Sequence, residues 1–226
     1  MNPQTIARSD SPQRTAWITG GANGIGRVIA ERIGHHLGMR VVLLDRDQAS
    51  LDRTASELGE QGLDVDIQFL DLQDRASLVG TVAQLAQRLP ADLLVNNAGV
   101  AITAPATSYK LDDWDKSLAI NLTAPMLLTQ HCLPHMQQRR WGRIVNIASV
   151  SGLRAGAGRV AYGTSKAALI AMTQQFAIEV AKTGVTVNAV APSMVRSEML
   201  ERLVEPGQMA GLLARIPAGR PSEMHE

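Results

Sequence analysis

The most constraining feature of the sequence is a repeated alternation of short apolar runs with longer segments of helical periodicity. The runs are apolar nearly throughout and lack the in/out alternation of a strand that faces solvent on one side. Such runs are typical of parallel strands covered by helices on both faces. The sequence therefore predicts an α/β fold with a doubly wound parallel sheet. The predicted strands lie in TAWIT, RVVLLD, VDIQFLD, DLLVNNAG, GRIVNIAS and GVTVNAVAP.

The length of the chain indicates the number of domains, and its charge indicates the class of partner. A chain of 226 residues with 45% hydrophobic content has material for one sizeable core. We expect a flexible tail over residues 1–14 and a single domain over residues 15–226. The 22 basic and 21 acidic residues give a formal net charge of +1, which provides no basic field for nucleic acid or an anionic membrane. A small-molecule partner is therefore favoured.

Cysteine content and hydropathy bear on the compartment. Cys132 is the only cysteine, which excludes an internal disulfide and a cysteine-rich zinc site and fits a reducing compartment. No run approaches the roughly 18 apolar residues that a membrane span requires. The polar residues 1–14 contain no apolar stretch typical of a secretory signal. We expect a cytoplasmic protein.

A glycine-rich turn, TGGANGIG, follows the first predicted strand and precedes a predicted helix. Glycines allow the backbone to approach a pyrophosphate at a helix N-terminus, which makes Gly20, Gly24 and Gly26 candidates for a dinucleotide site. An ordinary glycine-rich turn is the alternative. Asp45 ends the second predicted strand, where a carboxylate can accept hydrogen bonds from an adenosine ribose. Alternatively, Asp45 caps the helix that starts near Asp47.

Two further strand ends carry polar residues. Asp71, in FLDLQD, can accept from an adenine amino group or serve as a turn or cap residue. The sequence NNAG, residues 96–99, ends the fourth predicted strand with amide side chains and a glycine that permits close approach. Its alternative is an ordinary Asx turn. Ligands of doubly wound sheets bind at the carboxyl ends of the strands, where these residues fall.

Tyr162 and Lys166 lie four positions apart in VAYGTSKAAL, a run that reads as helix. Residues at this spacing share one helix face, so a phenol and an ammonium meet the same space. A phenol normally ionises near pH 10, and an adjacent cation or an oxidised nicotinamide favours its phenolate form. A tyrosine in such surroundings is a workable acid or base. Ser149, at the end of the fifth predicted strand, could donate to a carbonyl oxygen while Tyr162 exchanges its proton.

With these motifs in one order, the sequence resembles the short-chain dehydrogenase/reductase family, in the subgroup with TGxxxGxG and YxxxK. The resemblance covers about residues 15–192. It implies a Rossmann-like fold and hydride transfer between a nicotinamide cofactor and a secondary alcohol or ketone. It also implies a catalytic set of Asn121, Ser149, Tyr162 and Lys166. In the family, the asparagine holds a water in a proton relay to the lysine.

The resemblance also implies the residues that bind the cofactor. They are Thr19, Gly20, Asn23, Gly24, Ile25 and Gly26 at the pyrophosphate, Asp45 and Arg46 at the ribose, Asp71 and Leu72 at the adenine, Asn97, Ala98 and Gly99 beside the cofactor, Pro192, Val195 and Ser197 at the nicotinamide, and Tyr162 and Lys166. The Asp45 carboxylate predicts NAD, because the 2′-phosphate of NADP would meet a like charge there. NADP is the less favoured cofactor, although Arg46 could pair with its phosphate.

The sequence departs from the family pattern near its end. PSMVRS, residues 192–197, stands where the family has PGxxxT, so Ser193 replaces a glycine and costs stability if that position requires positive φ. Family members continue for on the order of 30 further residues through a helix and a strand, so we expect truncation of these elements. Residues 193–216 are predicted to form an apolar lid over the substrate, or to be buried packing. The apolar residues concerned are Met194, Met199, Leu200, Leu203, Met209, Leu212 and Leu213.

The remaining expectations concern metals, assembly and activity. His131 and His135 have the spacing of a metal pair, but Pro134 lies between them and no third ligand is evident, so we predict no metal. The resemblance implies a homodimer or homotetramer built on the helices that bear Asn121 and Tyr162. Two alternative functions stay open: an NADP-dependent 3-oxoacyl-type reductase and a catalytically silent dinucleotide-binding sensor or scaffold.

Overall fold

The computed structural model describes residues 13–197, 200, 207, 209–214 and 216–226. Most of the predicted tail over residues 1–14 lies outside the described residues. Six strands form one sheet. Their bounds are β1 (Thr15–Thr19), β2 (Arg40–Asp45), β3 (Val65–Phe69), β4 (Leu93–Asn96), β5 (Gly142–Ile147) and β6 (Val185–Val190).

The strand order is β3-β2-β1-β4-β5-β6, and every neighbouring pair is parallel. The chain thus builds outward from β1 in one direction and then crosses over to continue from β4 in the other. This is the doubly wound, Rossmann-like sheet that the apolar runs predicted, and all six predicted strands are present. We call the edge where the strands end the carboxyl edge, and the opposite one the amino edge. The switch point at the carboxyl edge lies between β1 and β4.

Helices connect the strands. Their bounds are α1 (Gly24–Leu37), α2 (Gln48–Glu60), α3 (Arg75–Arg88), α4 (Leu111–Leu118), α5 (Ala124–Gln138), α6 (Val160–Val180) and α7 (Met209–Leu213). Aspartates cap two of them, since Asp47 accepts from the Ser50 N–H at the start of α2 and Asp74 does so from the Ser77 N–H at the start of α3. Within the described residues, no helix has the length and apolar character needed to cross a bilayer.

Each face of the sheet carries its own apolar core. Trp17, Leu94 and Ile144 pack on one face with residues of α3, α5 and α6. Ile18 and Leu43 pack on the other face with residues of α1 and α2. Successive residues of a strand point to opposite faces, so the neighbours Trp17 and Ile18 enter different cores. Burial on both faces explains why β1, β2 and β4 are apolar nearly throughout, whereas the edge strands β3 and β6 are half-buried or partly exposed.

A π-helical turn, Ala119–Thr123, joins α4 to α5. The Ala124 N–H donates to the carbonyl of Ala119, five residues earlier. Pro125 has no N–H and cannot donate to the carbonyl of Asn121, four residues earlier. The Asn121 carbonyl therefore lacks its α-helical donor at the point where the helix passes the carboxyl edge.

Candidate active site

The glycine-rich turn packs tightly against the end of β4. A Cβ at Gly20, whose φ is +62°, would lie 3.0 Å from the Cα of Ala98. A Cβ at Gly26 would overlap the carbonyl oxygen of Gly20 and lie 2.6 Å from Nδ2 of Asn97. Both positions therefore require glycine. A Cβ at Gly24 would meet no atom within 4 Å, so open space lies beside the start of α1.

Thr19 and Asn97 tie this turn to the sheet. Thr19 Oγ1 accepts hydrogen bonds from the N–H groups of Asn97 and Ala98, both at 3.0 Å. Asn97 Nδ2 donates to the carbonyls of Thr19 at 3.0 Å and Gly20 at 3.2 Å. These four bonds fix the switch point between β1 and β4. The NNAG motif thus joins two strand ends, which is more than the ordinary Asx turn considered from sequence.

The N-terminus of α1 has no side-chain cap. Asn23 occupies the N-cap position in extended backbone, its side chain makes no capping hydrogen bond, and no acidic residue lies in the first turn. The N–H groups of Gly24, Ile25 and Gly26 therefore lack a side-chain acceptor, and the helix dipole adds partial positive charge. Together with the open space beside Gly24, these donors fit a pyrophosphate.

Asp45 ends β2 beside the glycine-rich turn. Its Oδ1 accepts from the N–H of Arg46 at 2.8 Å and of Asp47 at 3.2 Å. Its Oδ2 lies 3.4 Å from the Ala22 N–H. Asp47 is the N-cap of α2, so the alternative in which Asp45 caps that helix is wrong. The carboxylate is held in place by backbone donors, while Arg46 next to it is exposed.

Asp71 and Leu72 follow the end of β3. Asp71 Oδ1 accepts from the Gln73 N–H at 2.9 Å, which closes an Asx turn, whereas Asp74 caps α3. Leu72 packs against the core beneath α3 and α5. Asp71 is therefore a turn residue whose other oxygen makes no hydrogen bond to the described residues.

Ser149 and Lys166 lie together beyond the end of β5. Ser149 is 8% exposed, and its Oγ accepts from the Ser151 N–H at 3.1 Å. Lys166, on α6, is 4% exposed, and its Nζ donates to the Ile147 carbonyl at 2.7 Å. Desolvation by burial lowers the pKa of Lys166 from 10.5 to about 8. The ammonium is therefore mostly protonated at neutral pH.

Tyr162 lies in the first turn of α6, one turn before Lys166, and is half-buried. The segment after Ser149 reaches this helix because residue 152 is glycine: a Cβ at Gly152 would lie 2.7 Å from the carbonyl carbon of Lys166. The sequence reasoning missed Gly152. Its only signal was a glycine three positions after Ser149.

Asn121 is fully buried and joins two parts of the site. Its Oδ1 accepts from the Val100 N–H at 2.8 Å, and its Nδ2 donates to the Val100 carbonyl at 2.9 Å. Nδ2 also donates to Ser165 Oγ at 2.9 Å, and Ser165 Oγ donates to the Tyr162 carbonyl at 2.8 Å. The side-chain amide is thus occupied by protein groups. No sequence signal pointed to Val100 or Ser165.

Gly99 completes the arrangement. A Cβ at this position would lie 3.2 Å from Asn121 Oδ1 and 3.3 Å from Lys166 Nζ. The segment after β4 therefore runs directly past both side chains. The four predicted catalytic residues, from the π-helical turn, the end of β5 and α6, share this end of the sheet. They provide a hydroxyl, a phenol, an ammonium and a backbone carbonyl that lacks its α-helical donor, which can together polarise an oxygen and move a proton.

Residues 192–197 follow β6 at the same edge. The Pro192 carbonyl accepts from the Val150 N–H at 3.0 Å, and Ser197 Oγ donates to the Val195 carbonyl at 3.3 Å. Among the described residues other than glycine, only Arg140 has positive φ. Ser193 therefore replaces glycine without left-handed strain, and the cost that a positive φ would impose does not arise.

The segment around Val195 pairs with the end of the described chain, which the sequence did not predict. The Ser222 N–H donates to the Met194 carbonyl, and the Arg196 N–H donates to the Ser222 carbonyl, both at 2.9 Å. Arg196 also forms an ion pair with Glu223 at 2.9 Å. The predicted lid over residues 193–216 is described only in part. Of its apolar residues, Met199 and Leu203 lie outside the described residues.

The two histidines suggested by metal-pair spacing contact different partners. His131 Nδ1 lies 2.8 Å from the Leu127 carbonyl, whereas His135 Nε2 lies 3.2 Å from Asp92 Oδ1 at the amino edge. Within the described part of the chain, no three His, Cys, Asp or Glu residues group as metal ligands.

Comparison with known proteins gives a family-model match and similar curated proteins. The family model described as short chain dehydrogenase matches residues 14–207. A 3-oxoacyl-(acyl-carrier-protein) reductase of Rickettsia typhi is 35% identical over 93% of this chain and 84% of its own length.

Solved structures agree. A gluconate 5-dehydrogenase from Burkholderia cenocepacia, in complex with NADP and tartrate, is similar with a TM-score of 0.87 and 29% identity, over 94% of this chain and 84% of its own. A xylitol dehydrogenase with bound NAD+ is similar with a TM-score of 0.86 and 28% identity, over 94% of this chain and 88% of its own.

Proposed function

The chain belongs to the short-chain dehydrogenase family, and from that premise we propose how its NAD(P)-dependent oxidoreductase activity on CH–OH or keto groups is carried out. Ser149 donates a hydrogen bond to the substrate oxygen, and Tyr162 exchanges the proton with that oxygen. Lys166 favours the phenolate of Tyr162, and the Asn121 carbonyl holds a water that passes protons to Lys166. The observation that carries the proposal is that the Asn121 side chain and the Lys166 ammonium both lie beside Gly99, while Ser165 links Asn121 to the backbone of Tyr162.

The proposed chemistry runs in either direction. When bound, the nicotinamide supplies the hydride in ketone reduction or accepts it in alcohol oxidation. In reduction, the Tyr162 hydroxyl gives its proton to the oxygen as the carbonyl carbon becomes tetrahedral. Ser149 stabilises the charge that develops on the oxygen in the transition state. The phenolate is then reprotonated through Lys166 and the water at Asn121.

The cofactor contacts are proposed along the carboxyl edge. The uncapped N-terminus of α1 faces the pyrophosphate, and this group of residues comprises Thr19, Gly20, Asn23, Gly24, Ile25 and Gly26. Asp71 and Leu72 flank the adenine, Asn97, Ala98 and Gly99 run beside the cofactor, and Pro192, Val195 and Ser197 contact the nicotinamide. The support is their shared edge and the free N–H groups at α1.

We propose NAD as the preferred cofactor. Asp45 is fixed by the N–H groups of Arg46 and Asp47, so its carboxylate stays where an adenosine ribose would lie. A 2′-phosphate there meets a like charge. Similar structures contain NADP in one case and NAD+ in another. The ratio of kcat/KM for NAD and NADP tests the choice. The variant Asp45→Ala should move the ratio toward NADP, and Arg46→Gln should move it further toward NAD.

The substrate proposed is a small secondary alcohol or ketone. The alternative of an NADP-dependent 3-oxoacyl-type reductase is supported by the similarity to the Rickettsia typhi enzyme. The silent sensor is the candidate of another class. Turnover of ketones and alcohols with both cofactors, alongside cofactor binding by calorimetry, separates the three. Cofactor binding without turnover of any substrate would contradict catalysis and favour the sensor.

The proposed assembly is a homodimer through α5 and α6, or a homotetramer containing it. Ala167 and Ala171 are exposed and small enough for close helix approach, and Ile178 is 77% exposed. A groove between the helices is lined by five apolar residues and by Gln130, Gln137 and Glu179; the apolar ones are Met126, Leu133, Pro134, Phe176 and Val180. Light scattering at about micromolar concentration should give a mass of at least two subunits. Ile178→Asp should yield monomers, whereas Leu37→Asp on α1 should not; a monomeric parent would contradict the dimer.

The single buried thiol, Cys132, leads us to propose the cytoplasm as the compartment.

A further inference from the structure

The segment between Ser149 and Tyr162 carries positive charge without a counter-charge. It contains Arg154 and Arg159 and no acidic residue. Both arginines are exposed. No carboxylate of the described residues lies within 4 Å of either guanidinium. An exposed arginine elsewhere in this chain does form such a pair, as Arg196 does with Glu223 at 2.9 Å.

Arg159 is held close to the proposed catalytic serine. It immediately precedes α6, three residues before Tyr162. Its Nη1 donates to Ser151 Oγ at 2.9 Å, and the Ser151 N–H donates to Ser149 Oγ at 3.1 Å. The guanidinium is therefore linked to the Ser149 hydroxyl through a single intervening residue.

The backbone on either side of Arg159 fixes its direction. Gly158 has a φ of +71°, and its carbonyl accepts from the Ala104 N–H at 3.0 Å. The Arg159 carbonyl accepts from the Gly163 N–H at 2.7 Å as the first turn of α6 begins. A Cβ at Gly156 would lie 3.5 Å from Cδ of Arg159, so the aliphatic stem lies over this loop. These contacts and the hydrogen bond to Ser151 set the direction of the side chain.

A guanidinium presents five N–H donors in a planar fork, and Ser151 engages only one nitrogen of Arg159. The remaining donors match a carboxylate, which binds such a fork through two parallel hydrogen bonds. We propose that Arg159 recognises a carboxylate on the substrate, so that the protein acts on short hydroxy acids and oxo acids. Arg154 adds positive charge to the same loop. This inference rests on the proposed dehydrogenase function.

Matched pairs of an acid and its methyl ester test the proposed carboxylate recognition. Initial rates are measured on the full chain with pyruvate, acetoacetate and laevulinate, each against its methyl ester, with NADH and NADPH in excess. We expect kcat/KM for at least one acid to exceed that for its ester by about tenfold or more. Arg159→Gln should raise KM for the acid and leave kcat/KM for the ester unchanged, which removes the preference. Arg159→Lys should restore part of it, and Arg32→Gln, an exposed arginine on α1, should leave it intact.

The outcomes separate this inference from the function on which it rests. Equal turnover of acids and esters by the parent protein, or an equal loss of both in Arg159→Gln, would overturn carboxylate recognition while leaving the dehydrogenase in place. If no compound is turned over, calorimetric titration of the cofactor-loaded protein with the same three acids decides. Binding that is lost in Arg159→Gln supports the recognition even then. Absence of binding to the parent protein overturns it.

Discussion

Two buried polar clusters lie at opposite edges of the same sheet and are satisfied in different ways. At the amino edge, Asp92 Oδ2 accepts from the Thr15 N–H at 3.0 Å. Asp92 Oδ1 lies 3.2 Å from His135 Nε2 and 3.4 Å from Arg139 Nε. At the carboxyl edge, the Lys166 ammonium donates to a neutral carbonyl, and no carboxylate of the described residues lies within 4 Å. The Asp92 carboxylate thus has the Arg139 guanidinium beside it, whereas the Lys166 ammonium has no counter-charge among the described residues.

The difference separates a stabilising arrangement from a reactive one. A buried charge with well-placed partners is tolerated, whereas a buried ammonium without a carboxylate raises the free energy of the folded state. In the proposed mechanism, this cation is also what favours the phenolate of Tyr162. The contiguous helical segment from the π-helical turn through α5 serves both edges, because Asn121 lies near its start and His135 and Arg139 lie near its end.

The largest effect on activity is expected when the Tyr162 hydroxyl alone is removed. Tyr162→Phe should lower kcat by about 10²- to 10⁴-fold, the usual contribution of general acid–base catalysis. The free energy of unfolding should change little, because the Tyr162 hydroxyl forms no hydrogen bond to the described residues. Steady-state kinetics and thermal denaturation of the same sample check both statements. Near-normal turnover would remove Tyr162 from the mechanism.

A second variant tests the uncompensated cation. Lys166→Met should lower turnover by at least about tenfold, since 1.4 kcal/mol in the transition state already gives that factor. The pH optimum should move upward, because the phenol loses its cationic neighbour. An unchanged pH profile with normal rates would show that the ammonium does not act on Tyr162.

The same lysine links stability to pH. Its pKa is about 8 in the folded protein and 10.5 in the reference state, so between these values the unfolded chain binds more protons. This residue therefore makes the protein more stable as pH rises through that window, by at most about 3 kcal/mol. Lys166→Met should remove this rise, so the variant should compare more favourably with the parent protein at neutral pH than near pH 10. Urea denaturation across the window measures it, and parallel curves for the two proteins would contradict the burial effect.

A substitution at the amino edge should lower the free energy of unfolding and leave the catalytic activity unchanged. Asp92→Ala deletes a buried acceptor and leaves the Thr15 N–H and the Arg139 guanidinium without this partner, which should cost about 2 kcal/mol. For a chain of this size the melting temperature should then fall by roughly 4–8 °C. The control Asp115→Ala, at an exposed position on α4, should stay within about 0.5 kcal/mol of the parent. A loss of kcat in Asp92→Ala well below its melting temperature would break the separation between the two edges.

The smallest effect is expected at the rim of that cluster. His135→Gln should cost less than about 1 kcal/mol, because the histidine side chain is 25% exposed and Asp92 keeps its bonds to Thr15 and Arg139. Calorimetric melting in low and high salt checks this value. A cost as large as that of Asp92→Ala would show that the histidine, not the arginine, balances the carboxylate.

The sequence by itself determined the six strands, the glycine-rich turn and the placement of Tyr162 and Lys166 one turn apart on α6. These features are local. A strand buried on both faces must be apolar along its length, a turn without room for Cβ must contain glycine, and residues four apart on a helix must share a face. Each rule operates within a few neighbouring residues, so the pattern can be read without knowing the partners.

The tertiary structure alone decided which atoms of the site residues have hydrogen-bond or packing partners. Asn121 was identified by its motif, but its contacts with Val100 and Ser165 span 21 and 44 positions. Gly152 is required only because the Lys166 backbone lies against it. The pairing of Asp92 with His135 likewise joins residues 43 positions apart. Such contacts depend on how helices cross the sheet, and no local pattern encodes that crossing. The burial of Lys166, with no carboxylate of the described residues beside it, therefore emerged only in the folded chain.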